Sequence, residues 1–192
     1  MIFPVALVLL SAVEYRYWID PCIPAESACK PGDPELAQWA LEAWQRVTAG
    51  SVKFVKSSTR KDAHIRVTWV SQRMGLYGEA RPITVNGRRG AELYVRPEME
   101  GLGEDIFEAT KKDTLLRDAI VYLTCVHESG HALGLAHTAA FNDIMYSFGF
   151  GGDITEYFSR YRRKLKSRVD IPKQDAISKN DLARLNDLLQ QP

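Results

Sequence analysis

Neither sign of charge dominates this 192-residue chain, in which 25 Lys and Arg offset 24 Asp and Glu to a net +1. That balance removes any general pull toward nucleic acid, and no nucleic-acid partner is expected. Three cysteines are too few for a disulfide scaffold. No internal repeat or low-complexity tract is present, which excludes a stacked-repeat architecture. The one long apolar run, Met1 to Val13, is too short to span a bilayer as a helix. Histidine is also scarce, at four residues, yet three of the four fall within eleven positions.

That cluster is His127-Glu128-Ser129-Gly130-His131-Ala132-Leu133-Gly134-Leu135-Ala136-His137. Histidines four apart on a helix project from one face, about 6 Å apart along the axis. Two imidazoles so placed can meet one tetrahedral zinc at about 2.0–2.1 Å each. Glu128 sits beside the first ligand and can point at the open position, where a water would bind. A helix continued to His137 would put it on another face. Gly134 can take positive φ, end the helix and turn His137 back to the metal. The pattern points to a Zn2+ site with a carboxylate base built in.

The extended motif H-E-x-x-H-x-x-G-x-x-H resembles the metzincin clan of zinc endopeptidases. Asp143-Ile144-Met145-Tyr146 supplies the clan's methionine turn, eight residues beyond His137 as in the matrixin branch. Gly130 to Leu135 and Thr138 also look like matrixin sequence. The resemblance implies an α+β, zincin-like catalytic domain. Such a domain has a mixed twisted sheet, a long active-site helix and a smaller C-terminal helical subdomain. It implies one catalytic zinc on His127, His131 and His137, with Glu128 as general base and Gly134 and Met145 as supporting residues. Tyr146 directly follows the methionine, whereas other branches place their zinc-adjacent tyrosine one residue later, where Ser147 stands here; Tyr146 is not assigned as a ligand.

The chain also departs from its animal relatives. Vertebrate matrixins hold a second, structural zinc on histidines, and none lies between His64 and His127. A second zinc is not expected. Ca2+ has no supporting motif, because no calcium-loop spacing is visible. No inhibitory pro-segment with a zinc-binding cysteine is seen.

Residues 1–13 form an apolar leader, either the core of an export signal or a mis-called start, since no Lys or Arg precedes them. An export signal would place the protein outside the cell or in its envelope; otherwise it is cytoplasmic. Residues 14–192 read as one domain and as a monomer. Cys22 and Cys29 bracket a Pro-containing loop and can close as a disulfide in an exported chain. Cys125 lies two residues before His127 and is expected to pack as a small apolar group. Asp33-Pro34 reads as a helix start with Asp33 as N-cap, and Leu36, Ala40, Leu41, Trp44 and Val47 as its buried stripe. Strands are expected at Glu14–Ile19, Ser51–Lys56, Ala63–Val70 and Ala91–Val95, with a hairpin turn at Asn86-Gly87. His64 falls in the third strand and reads as structural.

By its place in the order, Met74 to Pro82 resembles the matrixin edge strand that borders the cleft. A protein or peptide substrate would lie extended there, pairing with the main chain of Leu76, Tyr77, Gly78, Glu79 and Ala80. The active-site helix should run from about Asp113, its cap, to Leu133. Beyond the methionine turn, 153–168 looks like an added helix. Tyr157, Phe158, Tyr161 and Leu165 would be buried, and Arg160, Arg162, Arg163, Lys164, Lys166 and Arg168 would crowd the rest. Those cations form either a solvated face or a contact for an anionic surface. Ser178-x-x-Asp181 opens the last helix as a capping box.

The expected activity is zinc-dependent peptide hydrolysis. The alternatives are a non-catalytic, zinc-stabilised binding module, or a zinc hydrolase acting on a non-protein amide such as a cell-wall cross-link.

Overall fold

A computed structural model describes residues 12–71 and 77–190. Residues 1–11 of the leader and Leu76 lie outside the described residues. Five strands form one mixed sheet: β1 (Val13–Ile19), β2 (Val52–Lys56), β3 (Ile65–Trp69), β4 (Gly78–Val85) and β5 (Arg88–Val95). Their order is β2-β1-β3-β5-β4, with β4 antiparallel to β5 and the other pairs parallel. The β4–β5 hairpin turns at Asn86 and Gly87, both at positive φ (51° and 76°), as a two-residue turn of this hand requires. Val13 already pairs with Val52, so the first strand takes in the last residue of the expected leader.

The helices are α1 (Pro24–Ser27), α2 (Asp33–Val47), α3 (Glu104–Lys112), α4 (Thr114–Ala132), α5 (Ile154–Arg162) and α6 (Lys179–Leu189). Residues Ala119 to Val126 of α4 are buried without a break, as in a helix covered on every side. Trp44 of α2 is fully buried and donates Nε1–H to Val126 O at 3.0 Å, which fixes α2 against α4. Asp113 caps α4 as expected, accepting from the amides of Leu115 and Leu116 at 3.1 Å each. Cys22 and Cys29 form a disulfide, and Cys125 is a buried free thiol.

Three expectations need correction. Asp33 is not an N-cap: it lies inside α2, with Gly32 at the cap position. Its carboxylate is 1% exposed, accepts from Lys30 N at 2.8 Å and pairs with Arg117 of α4 through both guanidinium nitrogens. The added helix stops at Arg162 rather than Arg168. Arg162 turns back to donate to Leu165 O at 2.8 Å, and Ser167 with Asp170 opens a separate 3₁₀ turn at Arg168–Lys173. Finally α3, short and mostly polar, was not anticipated; acidic residues in its first turn and basic ones in its last suit the helix dipole.

The cations of 160–168 are therefore not one face. Arg162 pairs with Asp113, Arg163 with Glu156, and Arg168 with Asp118 and Glu35. Arg160 lies over the rings of Tyr157 and Phe141.

The Asp33–Arg117 pair joins residues 84 apart in sequence, and both are buried. Without Asp33, the buried Arg117 keeps only a long contact to Asp118 at 3.5 Å and the Pro97 carbonyl at 3.3 Å. Asp33→Ala should lower unfolding stability by about 3–5 kcal/mol, and the apolar pair Asp33→Leu/Arg117→Met should recover most of it. Denaturant unfolding of the three proteins checks this; equal stability of the single and double variants would contradict it.

Candidate metal centre

The last turn of α4 carries His127 and His131 on one face, and Gly134 delivers His137. Gly134 has φ 102°, with open room around its Cα, so backbone conformation rather than crowding demands glycine. The amide of Leu135 closes the helix end on Gly130 O at 3.0 Å. The chain then reverses, and His137 Nε2 comes to 3.2 Å from that of His127 and 3.1 Å from that of His131.

These contacts are not hydrogen bonds between rings. Nδ1 of His127 faces Ile144 O at 2.6 Å, and Nδ1 of His131 faces Leu135 O at 2.8 Å. A carbonyl only accepts, so each Nδ1 carries the proton and each Nε2 turns a lone pair inward. Two donors at about 2.0–2.1 Å from a tetrahedral ion stand about 3.3–3.4 Å apart. These two spacings suit one zinc, and the ligand nitrogens of all three rings lie within 4.8 Å of one another. Burial favours the uncharged, ligating form, pushing His127 down to about 3 and lowering His131 and His137 as well.

Glu128 is 5% exposed, and among the described residues no hydrogen bond or ion pair holds its carboxylate. Burial pushes its pKa up to about 8, with the charge of Glu79 adding to the rise. A buried carboxylate beside three clustered imidazole nitrogens is suited to a neighbouring cation. The carboxylate packs directly on the Cα of Gly78: a Cβ at 78 would overlap it.

Met145 is fully buried beneath the site. A Cβ at Gly130 would overlap its sulfur, so Gly130 is what lets the methionine turn reach α4. The turn is tied to the ligand strand, as Thr138 N donates to Met145 O at 2.9 Å and Ser147 N to Thr138 O at 3.2 Å. It is held from below by Asp181, which accepts from Ile144 N at 2.7 Å while capping α6. Asp181 thus holds the amide of the residue whose carbonyl accepts the hydrogen bond from His127 Nδ1. The capping box announced Asp181, but nothing local announced its contact 37 residues away. His64 is apart from all this, accepting Arg16 N on Nδ1 at 3.0 Å.

An open cleft of about 550 Å³ runs past the histidines and Glu128, bordered by Gly78, Glu79 and Ala80 of edge strand β4. Tyr77 O is already bound by Arg96 N at 3.0 Å. Alternation along the antiparallel pair then turns the main-chain groups of Gly78 and Ala80 outward and those of Glu79 inward. A second pocket of about 310 Å³, mostly apolar, opens beside Glu128 and is walled by Leu123, Tyr146, Phe148, Tyr157 and Phe158. Of these, Tyr157 and Phe158 are the residues that the sequence places on the buried face of the added helix. No described helix is long and apolar enough to cross a membrane.

A model of the matrixin family matches residues 33–151, more than half of the chain. Human matrix metalloproteinase-20 is 32% identical over 114 residues, covering 58% of this chain and 22% of the relative. Human matrix metalloproteinase-15 is 31% identical over 133 residues, covering 64% and 19%. The chain thus spans about a fifth of the length of these curated relatives. The solved archaemetzincin of Methanopyrus kandleri matches with a TM-score of 0.48 at 15% identity, over 97% of this chain and 100% of that one.

Glu128 generates a pH prediction for the metal-free protein. Below about 4.5, its ordinary value, the group is protonated folded or unfolded; above about 8 both states are ionised and the folded state bears the full burial cost. Metal-free wild type should therefore lose stability relative to Glu128→Gln as pH rises through that window. Denaturant unfolding of both at pH 4.5 and pH 9 checks it, and a gap that does not change with pH would contradict it.

Proposed function

The chain belongs to the matrixin family, and from that premise we propose that it is a zinc-dependent endopeptidase with Glu128 as its general base. The observation that carries the reading is the convergence of three imidazole Nε2 atoms beside a buried carboxylate, unpaired among the described residues, in an open cleft. His127, His131 and His137 would hold the metal, which when bound supplies a Lewis acid that acidifies water and polarises a carbonyl.

The remaining steps belong to the chain's own residues. A peptide lies extended along β4, pairing with the outward main-chain groups of Gly78 and Ala80. This is strand addition to a free sheet edge, and it holds the scissile bond near Glu128. The Glu128 carboxylate takes the proton of the attacking water and returns it to the departing amine nitrogen. Its burial keeps it in position, and the bare Cα of Gly78 makes room for it. The apolar pocket beside it receives a substrate side chain. Residues 14–192 act as one catalytic unit. Export is in keeping with the Cys22–Cys29 bridge, since disulfides persist in oxidising compartments.

The test pairs zinc content with cleavage of casein and of a fluorogenic peptide pool. Wild type should bind one zinc and cleave, lose cleavage on chelation and regain it with added zinc. Glu128→Ala should keep the zinc and lose at least about 100-fold in kcat. A zinc-loaded wild type that cleaves no peptide but opens a cell-wall amide, or only binds a partner, would overturn the proposal.

A further inference from the structure

A pocket of about 380 Å³ with mixed polar and apolar walls adjoins the apolar pocket, lined among others by Asn142, Arg160, Lys164 and Asp175. The two spaces share two wall residues, Leu123 and Tyr157. Tyr157 stands on α5, beyond residue 151 where the matrixin match ends.

The Tyr157 ring is held on both sides. Toward the catalytic pocket it stacks on Tyr146 (5.9 Å between centroids) and meets the edge of Phe148 (5.1 Å). Toward the adjoining cavity the Arg160 guanidinium lies 4.3 Å from its centroid. Its hydroxyl donates to Asp143 O at 3.0 Å and Ile144 O at 3.3 Å, so the proton is spent on the methionine turn and the pocket meets ring carbon. Ring and hydroxyl together make a fixed partition, apolar in front and cationic behind. Among the described residues, Arg160 and Lys164 pair with no carboxylate; they donate to Phe141 O, to Asn142 Oδ1 and to Asp175 O. The Asp175 side chain, on the same cavity wall, offsets part of their charge.

We propose that Tyr157 is a specificity-determining residue: it closes the catalytic pocket and screens a substrate side chain from the cationic cavity behind. The enzyme then takes peptides whose pocket residue is apolar and of moderate length. It rejects longer side chains by contact with the ring, and it draws no benefit from an acidic tip. The inference rests on the peptidase reading above.

The test is a peptide series identical except at the residue entering the pocket: leucine, 2-aminooctanoic acid and 2-aminosuberic acid. The last two have side chains of similar length, one ending in methyl and one in carboxylate. Tyr157→Ala joins the two cavities and should raise kcat/KM for both long peptides relative to leucine by at least about tenfold. The carboxylate peptide should gain more than the methyl one. Adding Lys164→Gln should reduce that extra gain and leave the length gain. Tyr157→Phe keeps the ring and should keep the wild-type ratios, which separates partition from a merely structural role. Tyr157→Leu, shorter but still apolar, serves if the alanine variant does not fold. Failure of the wild type to cleave the leucine peptide would count against the peptidase reading. Normal wild-type cleavage with unchanged length ratios in the alanine or leucine variant would overturn the partition alone.

Discussion

His137 Nε2 stands 3.2 Å from that of His127 and 3.1 Å from that of His131, a crowding of ring nitrogens that a cation among them would relieve, and the rest of the site is arranged to keep them there. One end of the arrangement is the α4 helix, whose four-residue repeat supplies two of the rings. The other is the reversal at Gly134, which supplies the third. Neither would suffice if the rings could rotate. The carbonyls of Ile144 and Leu135 prevent that for His127 and His131 by accepting hydrogen bonds from their Nδ1–H groups. The Ile144 carbonyl is itself fixed, because Asp181 holds its residue's amide and Tyr157 donates to the same oxygen. The centre therefore depends on α5 and α6, which contribute no ligand.

Close approach at two glycines accomplishes what side chains cannot. Gly130 admits the Met145 sulfur against α4, and Gly78 admits the Glu128 carboxylate against β4. Both are contacts between elements distant in sequence, and both would be lost with a single added carbon. Their common effect is to bring the methionine turn, the helix and the sheet edge into one compact wall around the ligands. The Asp33–Arg117 pair anchors the same α4 helix to α2 at its far end, and Trp44 anchors it near the site. A rigid helix pinned at both ends is a suitable support for His127, His131 and the Glu128 carboxylate, whose relative positions it fixes.

What the sequence disclosed followed the range of the interactions involved. His127, Glu128, His131, Gly134 and His137 were legible because ligand spacing and a glycine turn are local. Met145 was legible because the family resemblance carried its spacing. The β4–β5 hairpin was legible from Asn86-Gly87, and the cap at Asp113 from its place before an apolar run. The contacts that orient the ligands were not, since Asp181 reaches Ile144 across 37 positions and Tyr157 reaches it across 13. Asp33 was misread for the same reason: its local signal is that of a helix cap, whereas its partner lies 84 residues away. The basic run after Tyr157 read as one helix because composition does not show where Arg162 turns back onto Leu165. Local chemistry was visible in the sequence; the scaffold that tunes it was not.

These three nitrogens are proposed to hold one zinc with a fourth position left open. X-ray absorption at the zinc edge on the purified protein measures this most directly. The account predicts one zinc per chain with three imidazole nitrogens at about 2.0–2.1 Å and a single further light-atom ligand. It also predicts loss of that signature in a His137→Ala variant. A sulfur scatterer at about 2.3 Å, a six-coordinate oxygen shell, or no stoichiometric zinc would contradict it.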